Sequence, residues 1–79
     1  MNAFVRILHE EYAENTFKLI RIKLRSINNM TIYLTDKTLF RYDRQTNEII
    51  LGDCYINNEV ISIRFKANYI ISLGVLERL

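Results

Sequence analysis

Apolar residues recur every three to four positions through Phe4, Val5, Leu8 and Tyr12, while Arg6, Glu10, Glu11 and Glu14 take the rest of the wheel. This is the period of an amphipathic helix. It predicts a short helix over about 2–15, capped by Asn2 and ended at Asn15-Thr16. From Thr16 the period falls to two: Ile20, Ile22 and Leu24 alternate with Leu19, Arg21, Lys23 and Arg25, as in a strand with one buried and one wet, basic face. Ser26 to Asn29 reads as a turn. A second long strand is expected from Met30 to Tyr42, bent or bulged at the polar pair Asp36-Lys37.

After the polar loop Asp43 to Asn47, Ile49-Ile50-Leu51 opens a third strand reaching Ile56. Asn57-Asn58 suits a hairpin tip, because asparagine tolerates positive φ. A fourth strand holds Val60, Ile61, Ile63 and Phe65; Lys66-Ala67-Asn68 leads to a fifth over Tyr69 to Leu76. The predicted fold is mainly β: a short N-terminal helix, then a strongly bent five-stranded antiparallel sheet or barrel over about 16–76. Short connections and the lack of linkers or repeats make residues 1–79 one domain.

Composition narrows the function. A chain of 79 residues that is 49% hydrophobic and 25% charged folds, but its small core stabilises it only marginally, so partners are expected. No run approaches the roughly 18–20 apolar residues that span a bilayer, which predicts no membrane partner and a cytoplasmic or nuclear location. Cys54 is the one cysteine and His9 the one histidine, so neither an internal disulfide nor a Cys/His zinc set is expected. No paired carboxylates, nucleophile with base or glycine loop stands in the sequence, which predicts a protein that is not an enzyme and uses no cofactor. The formal charge of +2 names no partner by itself.

Leu39 to Cys54 carries the pair Tyr42-Asp43, then Asn47, then Leu51-Gly52-Asp53-Cys54. This segment resembles the end of the first Sm motif, in which an aromatic-Asp pair, three variable residues and an Asn precede a strand reading Leu-x-Asp-Cys. Ile63-Arg64 followed by Ile70-Ile71-Ser72-Leu73 is similar to a loosened second Sm motif. Helix followed by five strands is also the Sm order. The resemblance implies an Sm-like domain that joins its neighbours by pairing its fourth strand with the fifth strand of the next subunit. Interface positions would then be Val60, Ile61, Ile63, Phe65, Tyr69, Ile71 and Leu73.

It also implies a uridine site, with Gln45 as stacking position, Asn47 reading the base edge and Arg64 lying beneath. The sequence departs from the family here. The first turn reads Asn28-Asn29-Met30 in place of Asn-Gly, and Phe65 replaces the glycine after Arg64. These losses resemble the Sm-like Gemin proteins of the SMN complex, which pair with each other. The leading expectation is therefore a non-catalytic Sm-like subunit of a hetero-oligomer, acting with other Sm-like proteins or assembly factors in snRNP assembly, mRNA splicing or RNA processing.

Three alternatives remain. The chain could be a ring-forming LSm protein binding uridine-rich RNA directly, an auxiliary subunit of an acetyltransferase complex, or a mobile-element or viral inhibitor. Asp43 and Asn47 are also ordinary turn formers, and the basic row Lys18, Arg21, Lys23 and Arg25 serves equally to track phosphate or to guard an edge against aggregation. Five tyrosines fit core and interface alike.

Overall fold

The computed structural model describes residues 3–14, 17–25 and 30–78. Helix α1 (Ala3–Ala13) is followed by β1 (Phe17–Leu24), β2 (Thr31–Thr35), β3 (Leu39–Asp43), β4 (Glu48–Ile56), β5 (Glu59–Lys66) and β6 (Ile70–Arg78), with a 3₁₀ turn at Ala67–Tyr69 before β6. All pairings are antiparallel and make one sheet. The mainly β character, the leading helix and the single-turn hairpin at Asn57-Asn58 are as the sequence predicts. The expected helix cap at Asn2, the helix end at Asn15-Thr16 and the turn at 26–29 lie outside the described residues.

The strand count is six where five were expected, because the segment expected as one bent strand is two. Two threonines make the break. Thr38 N–H donates to the Thr35 carbonyl at 3.1 Å, and the Thr38 hydroxyl oxygen accepts from Thr35 N–H at 2.9 Å. Lys37 N–H donates to Thr35 Oγ1 at 3.2 Å. A turn closed this way interrupts the ladder, yet β2 and β3 stay on the same side of β4: Tyr33 pairs with Tyr55, while Leu39 to Asp43 pair with Gly52 to Glu48.

On its other side β4 runs against β5, from Glu48↔Lys66 to Ile56↔Glu59. The register shifts between Leu51 and Cys54, and Asp53 at φ 58° is the residue that absorbs the shift. Two residues of β4 thus oppose one of β5, the arrangement of a bulge that bends a strand. The buried Thr38 hydroxyl donates to the Asp53 carbonyl at 3.0 Å. The β2–β3 turn and the β4 bulge are therefore tied together.

Strand alternation delivers one face to the core. Ile20, Ile22 and Leu24 of β1, Ile32 and Leu34 of β2, Ile49, Leu51 and Cys54 of β4, and Phe65 and Ile70 are buried. Helix α1 covers this face with Val5 and Leu8, and Tyr12 stacks at tilted angles on Phe17 and Phe40, 5.0 and 5.8 Å between ring centres. Its hydroxyl donates to the Thr35 carbonyl at 3.2 Å. Phe4, expected on the apolar stripe, is exposed, since the buried stripe is narrower than the periodicity implied. Phe65, expected at an interface, belongs to the core, because it alternates with Arg64 and Lys66 on a strand whose inner face is covered.

Two predictions follow from these contacts. Thr38→Val keeps the side-chain shape but leaves the Thr35 N–H and the Asp53 carbonyl short of a partner, so urea denaturation should show a loss of about 2 kcal/mol. The second concerns alkali. Burial pushes both the Tyr12 hydroxyl and the Cys54 thiol above their ordinary values of 10.0 and 9.0. A raised folded value favours the neutral form, so this stabilisation is complete below the unfolded value of 9.0 for Cys54 and is lost as pH rises through the folded one. Stability measured by denaturation is thus expected to fall above about pH 9, and Cys54→Ser should remove the thiol part of that fall.

Candidate functional site

The polar loop between β3 and β4 is built from its own side chains. Asp43 Oδ1 accepts from the backbone N–H of Gln45 at 2.9 Å and of Thr46 at 3.4 Å, holding the chain in a tight turn. Asn47 then takes φ 56°, a left-handed conformation that asparagine adopts more readily than most residues. Its Oδ1 accepts from the Tyr42 hydroxyl at 2.6 Å. Its carbonyl accepts from Ala67 N–H at 2.8 Å, and Lys66 Nζ donates to the Thr46 carbonyl at 2.8 Å. The loop is thereby sewn to the end of β5 and the 3₁₀ turn.

Of the three expected RNA positions, Gln45 and Asn47 sit in this loop, Gln45 exposed and Asn47 half-buried. Arg64 is exposed and pairs with Ile50, a register step away from the loop. The cation that touches the loop is Lys66, paired with Glu48. Sequence reasoning did not place Lys66 beside the loop. No local signal marks it, because its contact with the loop depends on the β4–β5 register. The Asn47 side-chain oxygen, expected to read a base, is engaged by Tyr42.

The expected interface positions lie near the limits of the sheet. Strand β5 pairs with β4 alone, and β6 with β1 alone. Val60, Tyr69 and Ile71 are exposed, whereas Ile61, Ile63 and Leu73 are half-buried against the core. Leu76 on β6 is a further exposed apolar residue that the sequence did not single out.

Cys54, fully buried, donates its thiol to the Ile61 carbonyl at 3.4 Å, the setting of a packed core cysteine. His9 lies against Phe40, with ring centres 6.1 Å apart. Among the described residues no group of three His, Cys, Asp or Glu side chains could hold a metal ion, and no helix is long and apolar enough to cross a membrane. Comparison with protein-family models, with curated proteins and with solved structures finds no significant match.

The Tyr42–Asn47 bond gives a test of the loop. Tyr42→Phe should cost about 1 kcal/mol in urea denaturation. Asn47→Gly, which keeps the left-handed backbone, should cost a similar amount, and the double substitution little more than either alone. Asn47→Ala adds the strain of a Cβ at positive φ, about 1 kcal/mol further.

Proposed function

We propose that this chain is a non-catalytic Sm-like subunit that assembles with other proteins through β5 and β6, and acts in ribonucleoprotein assembly or RNA processing. The observation that carries the reading is the strand order. With β2 and β3 counted as the two halves of one bent strand, the sheet ends in the fourth strand on one side and the fifth on the other. Each has one in-chain partner, so each presents a row of main-chain donors and acceptors to a neighbour.

The side chains agree with this use. Val60 on β5 and Ile71 and Leu76 on β6 are exposed apolar residues on the strands with open edges. Pairing of the β5 of one subunit with the β6 of the next is heterologous, so the same contact repeated closes a ring or, between two kinds of subunit, makes a hetero-oligomer. The partners this reading favours are other Sm-like chains.

A second reading rests on the Asn47 carbonyl to Ala67 N–H bond, which draws the Gln45–Asn47 loop and Lys66 to one place. That favours direct contact with uridine-rich RNA, with Lys66 in the cationic role expected of Arg64.

Light scattering of the purified protein across a range of concentrations tests the assembly. More than one chain per particle is expected, and the double substitution Val60→Lys with Ile71→Lys should return it to a monomer whose circular dichroism spectrum at low temperature is unchanged, with a lower melting temperature because assembly no longer stabilises the folded state. A wild-type protein that stays monomeric, alone and with an Sm-like partner, contradicts the proposal.

A further inference from the structure

Among the described residues, one face of the sheet is not covered by α1. Helix α1 covers the other, the side of Val5, Leu8 and Tyr12. Directly paired residues share a face, so the register identifies what lies on the bare one. A single row crosses it: Gly74 of β6, Arg21 of β1, Tyr33 of β2, Tyr55 of β4 and Val60 of β5. Lys23 stands one step along β1 beside Ser72 and Thr31, and Arg25 follows.

Two details of this row matter. A Cβ on Gly74 would lie 3.7 Å from Arg21 Nη2, so the guanidinium leans over the bare backbone of β6. The cations are also unspent. The side-chain ion pairs among the described residues are Lys18 with Glu77 and Arg78 with Glu11, and neither involves Arg21, Lys23 or Arg25. The acidic groups Glu10, Glu11 and Glu14 belong to α1 and its end; Asp53, in the β4 bulge, is the carboxylate nearest in sequence to Tyr55.

We infer that the outer face of β1, β2 and β4 binds single-stranded nucleic acid without base preference, Tyr33 and Tyr55 stacking on bases while Arg21, Lys23 and Arg25 hold phosphates. The two rings stand on neighbouring strands, roughly 5 Å apart at the backbone, with the cations one strand further. Stacking platforms beside a basic track are what sequence-tolerant single-strand binding requires. A membrane surface or an acidic peptide would use the cations but gain nothing from two rings set in the middle of the face. This surface is separate from the Gln45–Asn47 loop, and main-chain pairing at the edges of β5 and β6 leaves it open, so the inference stands whether or not the protein assembles.

The test is fluorescence anisotropy of the full chain with labelled ten-nucleotide single strands of uridine, cytidine and adenosine, a duplex of equal length, polyglutamate, and vesicles containing phosphatidylserine. Single strands of all three bases should bind alike and more tightly than the duplex, with log K falling against log salt at a slope of about −2 for three phosphate contacts. Tyr33→Ala with Tyr55→Ala should weaken binding about 30-fold or more; the paired Phe substitutions should hardly change it. Arg21→Glu with Lys23→Glu should abolish binding, and Asn47→Ala should leave it intact. Circular dichroism melts check that each variant is folded. Binding that ignores the tyrosines, that is lost with Asn47→Ala, or that polyglutamate or vesicles reproduce overturns the inference, as does the absence of binding.

Discussion

Strand β4 must serve three neighbours, and one hydrogen bond makes that possible. β3 and β2 take successive halves of one of its sides while β5 takes the whole of the other, so β4 has to bend without losing either ladder. The bend is placed at Asp53, in a left-handed conformation that costs an ordinary residue about 1–2 kcal/mol. The Thr38 hydroxyl holds it there from the opposite turn. Because Thr38 also closes the β2–β3 turn, the same side chain decides where the partner strand is cut and where β4 curves.

This linkage explains which parts of the fold were legible in the sequence. Alternation of Ile20, Ile22 and Leu24 against Arg21, Lys23 and Arg25 announces a half-buried strand, and Asn57-Asn58 announces a two-residue hairpin that the structure closes with both residues at positive φ. The Thr35–Thr38 turn carries no glycine, proline or asparagine, so it read as a dent in one strand instead of a boundary between two. Its closure depends on hydroxyl geometry and on Asp53, 15 positions away. Long-range ties of this kind leave no local trace.

The candidate site divides in the same way. The loop chemistry of Asp43 and Asn47 is local and was readable, down to the turn that Asp43 caps. Which cation meets that loop depends on the β4–β5 register, and the bulge in β4 changes how residues count across it; Lys66 could not be chosen over Arg64 without that register. The same holds for Tyr33 and Tyr55, which are far apart in the chain and become direct neighbours across two strands. Among the described residues Arg21, Lys23 and Arg25 are in no ion pair, and the alternation of β1 puts Arg21 and Lys23 on the side that α1 does not cover.

Pairing of β1 with β6 brings Lys18 to Glu77 across 59 positions of the chain. Such a contact forms only after a large loop has closed, and closure entropy is lost before the contact repays any of it. The hairpin of β4 and β5 needs only the two residues between its strands, so it forms early. During the interval, the β1 edge later covered by β6 is open and carries Ile20, Ile22 and Leu24. Folding on the millisecond-to-second scale of non-local β-proteins is therefore expected, with the basic residues interleaved along β1 keeping that strand from pairing with another chain before its own arrives.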